Sequence, residues 1–156
     1  MKAHIGRQLD RADRRFAAKE ITPHAHAWHL ADELIPDALV RQLAELGTFG
    51  MRVPEAAGGL AMGTIDAALV MEEVGRTLAS GPIAEAILAA RLLDQLGGAA
   101  LNEVTSGATV ATLAFHDIAN QPVQWLPGGA HADLVRQPEG RYARLHALQA
   151  STCGGP

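Results

Sequence analysis

The sequence predicts a mainly α-helical chain that gives way to a small, incomplete β-sheet region in its last third. Three observations predict it. Hydrophobic residues make up 48% of the 156 positions but aromatics only 4%, and the alanine and leucine that dominate the apolar set lose little side-chain freedom in helices. Apolar positions recur at helical spacing, broken by Pro and Gly, as far as residue 104. Beyond it, Thr109 to Phe115 is rich in β-branched and apolar residues.

Leu9, Ala12, Phe16 and Ala17 open the chain at helical spacing, so a first helix is expected to reach about Glu20, with Pro23 stopping or kinking it. Residues 24–31 suit a second short helix before Pro36, whose fixed φ fits a helix start. Leu39, Val40, Leu43 and Leu46 make an amphipathic face that Gly47 closes in the left-handed conformation. Phe49 to Val53 is expected to be briefly extended, and Pro54, Gly58, Gly59 and Gly63 mark an irregular connection.

Thr64 is expected to cap the next helix through its hydroxyl, with Ile65, Leu69, Val70 and Val74 inward and an end near Leu78. Ser80, Gly81 and Pro82 restart the chain into a helix carrying Ile83, Ile87, Leu88, Leu92 and Leu96, ended by Gly97 and Gly98. Thr109–Phe115, Asp133–Arg136 and Arg141–Leu148 read as short strands. Residues 1–104 are therefore expected to form a helical domain, 105–150 a partial β-domain and 151–156 a loose tail.

Thirteen basic residues against seventeen acidic ones leave a formal charge of -4, and the basic residues are scattered, which argues against a nucleic-acid partner. Cys153 is the only cysteine, so no intrachain disulfide or multi-cysteine metal site forms and a reducing cytoplasm suits the chain. The N-terminus has no apolar signal core. Wholly apolar stretches such as Ala86 to Ala90 are far below spanning length, so no membrane association is expected.

The order of features carries a resemblance. Leu43-Ala-Glu-Leu-Gly47-Thr-Phe-Gly50-Met-Arg-Val-Pro54-Glu55, then Gly58-Gly59-Leu60, then Val70-Met-Glu72-Glu73-Val-Gly-Arg76 resembles the N-terminal part of an acyl-CoA dehydrogenase. Upstream, Phe16-Ala-Ala-Lys-Glu-Ile-Thr-Pro23 is similar to the family's first helix, and Gly128-Gly-Ala-His-Ala-Asp133-Leu-Val135 to a stretch of its middle β-domain. The segment from His24 to Pro36 also resembles the family's methylsuccinyl-CoA dehydrogenase branch.

The resemblance implies a helical domain followed by β-domain, and FAD-dependent α,β-dehydrogenation of an acyl-CoA to an enoyl-CoA. It implies a homo- or hetero-oligomer with another dehydrogenase subunit. By the same resemblance Leu113, Phe115 and His116 stand where the flavin is contacted, with His116 in place of the usual hydroxyl residue, and Ile83 and Ala86 stand where the acyl pocket closes. The connection from Asp117 to Asp133 is shorter than the family's flavin-contacting region, and the family's C-terminal domain, with its glutamate base, has no counterpart in these residues. The chain is thus expected to be incomplete as a stand-alone catalyst, the alternative being a non-catalytic partner subunit or a truncated fragment. No catalytic residue is assigned.

Other candidates have plainer readings. Glu72 and Glu73 point about 100° apart on a helix and are read as solvated or ion-pairing groups. Among His24, His26 and His29 only the last two share a helical face, so no metal is assigned. Gly58 and Gly59 follow no strand and read as a structural turn rather than a phosphate cradle. Cys153 is read as incidental, and Tyr142 and Trp125 as packing residues.

Overall fold

The computed structural model describes residues 12, 14–114, 116, 120, 126, 128–129, 132–136 and 142–144. Residues 14–16 are helical and pass through a π turn, Ala17–Ile21, directly into α1, Thr22–Leu30. Pro23 therefore does not stop the helix. In an α register its missing N–H would leave the Lys19 carbonyl unpaired. The π turn shifts the pattern ahead of it: the Thr22 N–H donates to the Ala17 carbonyl, which the Thr22 hydroxyl also reaches at 3.1 Å. Pro23 then falls in the first turn of α1, where no N–H is required.

α2 spans Asp37–Glu45, α3 Thr64–Arg76, α4 Ile83–Gln95 and α5 Leu101–Thr105, with a 3-10 turn at Glu55–Ala57. All five α-helices close in the same way, with paired backbone bonds from the two residues that follow the C-cap. At α2 Gly47 donates to Ala44 and Thr48 to Leu43; at α4 Gly97 donates to Asp94 and Gly98 to Leu93. The first donor sits at positive φ in each case, being Gly47, Gly97 or Gly107 at three ends but Asp32 and Leu78, both at φ 55°, at the other two.

Phe49–Val53 forms turns rather than an extended segment. Met51 donates to Thr48 and Val53 to Gly50, while Leu60 and Met62 return to bond the Gly50 and Met51 carbonyls. Folding the loop onto itself buries Phe49 and Met51 in a core shared by Leu43, Val70, Val74 and Ile87, and Val53 in a second core with Ala90, Leu93 and Val104. The Thr64 hydroxyl is not the cap of α3 either. Gly63 holds the N-cap position and its N–H donates to the Asp66 carboxylate at 2.8 Å.

Two helix faces depart from the expected ones. On α3, Val70 and Val74 are buried but Ile65 is 77% exposed and Leu69 43%. Glu73 takes the inward position instead, which turns the helix away from its apolar stripe. On α4, Ile83 and Ile87 are buried with Ala86, Ala89, Ala90 and Leu93, leaving Leu88 and Leu96 half exposed. The small alanines let β1 lie close against α4.

β1, Ala111–Leu113, pairs in parallel with β2, Leu134–Arg136, which pairs antiparallel with β3, Tyr142–Arg144. The chain is thus mainly helical, with a small sheet after the helices. Phe115, Trp125, Cys153 and the expected tail at 151–156 lie outside the described residues.

Candidate functional site

An open cleft of about 330 Å³ lies between the α1–α2 connection and the start of α4. One backbone bond fixes the two walls, the Ile35 N–H donating to the Ser80 carbonyl at 2.9 Å. Ile35, Phe49, Ile83, Ala86 and Val104 are all buried and present apolar surface, while Asp32, Glu33 and Asp37 are exposed at the rim. Thr109 and Val110 complete the lining, and the Thr109 hydroxyl donates to Glu103 at 3.1 Å. Volume and lining are those of a small-molecule site.

The loop after the described helices also reaches this edge. Gly128 stands at φ +60°, and a Cβ there would lie 2.7 Å from Cδ of Pro82, one of the lining residues. Only glycine suits both the conformation and the approach.

Ile83 and Ala86, named from the sequence as pocket residues, thus lie together on one wall of the cleft, 3% and 6% exposed. Leu113 is elsewhere, its side chain packed among residues of α4 and α5. His116 is exposed just beyond the C-terminal end of β1. Its imidazole can donate a hydrogen bond, and Leu113, with its side chain packed inward, offers this strand end only its backbone. The sequence reading missed Ile35, Phe49, Val104 and the acidic rim. A signal for the rim was present, since Asp32, Glu33 and Asp37 bracket an Ile-Pro dipeptide between two helices.

The paired carboxylates separate as their helical angle requires. Glu72 is exposed and bonded to Arg76 four residues on. Glu73 is buried and accepts a hydrogen bond from Arg14, with Arg76 3.6 Å away. That bond, together with the charges of Arg14 and Arg76, holds the Glu73 carboxyl below its ordinary range against the opposing effect of burial. His24 lies over Trp28 with ring centroids 5.6 Å apart. Among the described residues no group of three or more His, Cys, Asp or Glu is arranged to hold a metal, and no helix is long and apolar enough to cross a membrane. Gly58, at φ +84°, and Gly59, packed against Val53 and Gly50, form a tight structural turn.

The family model described as "Acyl-CoA dehydrogenase, N-terminal domain" matches residues 6–111. The chain belongs to the acyl-CoA dehydrogenase family. It is 48% identical over 63 residues to a (2S)-methylsuccinyl-CoA dehydrogenase of Cereibacter sphaeroides, covering 40% of this chain and 12% of that protein. It is 38% identical over 92 residues to a benzylmalonyl-CoA dehydrogenase of Aromatoleum aromaticum, covering 57% and 24%. The chain therefore spans about a quarter or less of the length of these curated relatives.

Among solved structures, a steroid acyl-CoA dehydrogenase variant, Tcur3481-Tcur3483, superposes with a TM-score of 0.63 at 26% identity, over 75% of this chain and 34% of that one. The glutaryl-CoA dehydrogenase of Mycobacterium smegmatis shares the fold, with a TM-score of 0.65 at 19% identity over 83% and 41% of the two chains.

Proposed function

We propose that this chain supplies the helical part and the first strands of an FAD-dependent acyl-CoA dehydrogenase, which removes two hydrogens across the α,β bond of an acyl-CoA to give the enoyl-CoA. The observation that carries this reading is the position of Ile83 and Ala86 on the wall of an apolar cleft of small-molecule size, in a chain whose family membership is established over residues 6–111. The acyl-CoA dehydrogenase activities named for its relatives support the substrate class.

In this reading the cleft residues hold the acyl chain. Ile83 and Ala86 limit its depth, and Ile35, Phe49 and Val104 keep water from it. His116, with the backbone beside Leu113 and the adjoining Phe115, would hold the flavin at the end of β1. FAD supplies the hydride acceptor when bound. The assembled enzyme is a cytoplasmic oligomer to which other segments contribute the base.

Methyl-resolved NMR of the full 156-residue chain tests the acyl site. Pentanoyl-CoA is expected to shift the methyl signals of Ile35, Val40, Ile83 and Val110, while free CoA leaves them in place. Unchanged cleft methyls at saturating pentanoyl-CoA would overturn the reading.

A further inference from the structure

Two neighbouring residues of the cleft wall, Thr109 and Val110, are held by carboxylates from different parts of the chain. Both line the cleft where the turn after α5 enters β1. The Thr109 hydroxyl donates to the Glu103 carboxylate of α5, and its N–H donates to the Glu103 carbonyl, each at 3.1 Å, so one residue grips Thr109 by side chain and main chain together. One position on, the Val110 N–H donates at 2.9 Å to the carboxylate of Asp133, which directly precedes β2. Neither Glu103 nor Asp133 is itself part of the cleft lining. The same turn is seated against α2: Gly107 stands at φ +70°, and a Cβ there would lie 3.1 Å from Ala44 Cβ and 3.3 Å from the Val40 carbonyl. Val40 and Val104 also line the cleft, so any displacement of this turn changes the spacing between α2, α5 and the start of β1 around it.

We infer that Glu103 and Asp133 are positioning residues of the acyl site, which stand outside the lining and set the place of the Thr109–Val110 wall. The inference rests on the acyl-site reading given above and adds two residues to it. A wall already in place is met by the ligand without further ordering, whereas a wall free to move must be ordered on binding, which subtracts from affinity. Dispersion contacts weaken over gaps of a fraction of an ångström, so small displacements matter. The bond to Asp133 fixes the Val110 main chain, and the bond to Glu103 holds the Thr109 hydroxyl, which leaves one rotamer for the rest of that side chain. Carboxylate acceptors make these bonds stronger than their neutral counterparts.

Calorimetric titration of the full chain with pentanoyl-CoA, well below the melting temperature of every variant, tests this. Glu103→Ala and Asp133→Ala are each expected to weaken binding about threefold to tenfold. Glu103→Gln and Asp133→Asn keep an acceptor oxygen and are expected to recover most of that loss. Asp66→Ala serves as the control, since it removes the carboxylate that accepts the Gly63 N–H at the start of α3, away from the cleft lining. It is expected to lower stability comparably and to leave pentanoyl-CoA binding unchanged.

Unchanged affinity in either alanine variant, weakening that the amide variants do not relieve, or equal weakening in Asp66→Ala would overturn the inference and leave the acyl site standing. If pentanoyl-CoA binds the unaltered chain no more tightly than free CoA, the acyl-site reading falls and this inference falls with it.

Discussion

Val110 and Asp133 hold each other through two hydrogen bonds. The Val110 N–H donates to the Asp133 carboxylate at 2.9 Å, and the Asp133 N–H donates to the Val110 carbonyl at 2.8 Å. The pair sits one residue ahead of the Ala111–Leu134 register of the parallel strands and locks it. Val110 is also a cleft residue, so the sheet register and the cleft wall share this link.

Replacing Asp133 by Ala is expected to cost about 1 kcal/mol, the net worth of one partly exposed hydrogen bond to a charged acceptor. Asp133→Asn keeps an acceptor oxygen and should cost less. Urea unfolding gives the stabilities, and amide exchange at Val110 reports the bond itself; equal exchange rates in all three proteins would refute the assignment.

Leu78 is a 70% exposed side chain held at φ 55°. The left-handed conformation costs a residue with a Cβ about 1–2 kcal/mol, part of which glycine returns through its freer unfolded chain. Leu78→Gly should therefore stabilise by about 1 kcal/mol and raise Tm by about 2–4 °C for a chain of this size. A lowered Tm would show that the leucine contributes more through packing than its exposure indicates.

Gly59 allows no side chain. A Cβ there would fall on the Val53 carbonyl, 2.5 Å from Val53 Cβ and 2.6 Å from the Gly50 carbonyl. Two of these obstacles are backbone, which does not yield as a flexible side chain does. Gly59→Ala is expected to destabilise by about 3 kcal/mol, at the upper end of overpacking costs, whereas Gly75→Ala, with nothing within 4 Å, should be tolerated. Comparable thermal melts for the two variants would contradict this.

Glu73 predicts an acid limb in the stability profile. Its folded-state pKa is lowered, chiefly by the Arg14 hydrogen bond, so its contribution is fully present above the ordinary carboxylate pKa of about 4.3 and is lost as the pH falls through the lower folded value. Tm measured from pH 7 to pH 2 should fall less steeply in Glu73→Gln than in the unaltered chain. Identical slopes would place the acid sensitivity in other groups.

Much of the helical order was legible because its punctuation is chemical. Gly47 and Gly97 occupy the left-handed ends where the spacing put them, and Gly58 and Gly59 form a tight turn where one was expected. What the sequence did not reveal depends on partners distant along the chain. Arg14 and Glu73 are 59 residues apart, and their pairing turns a carboxylate inward on α3, so a reading that places every apolar residue inside rotates that helix and buries Ile65 wrongly. Pro23 misled because one π turn ahead of it removes the conflict that proline usually creates. At the cleft, Ile83 and Ala86 had been named by resemblance, while the acidic rim emerges only when the α1–α2 connection folds against α4.

The parallel pairing of β1 with β2 also sets an order of assembly. Each helix end closes over contacts five residues apart or fewer, but the Val110–Asp133 bond joins positions separated by 23. Closing that longer loop is slower and pays its entropy before any strand contact rewards it. The helical layer should accordingly form first and serve as a template, β1 docking on α4 before β2 arrives. In a pulse-labelling experiment the amide of Leu93 would gain protection ahead of that of Val110, and the cleft would acquire its final wall in the last kinetic phase.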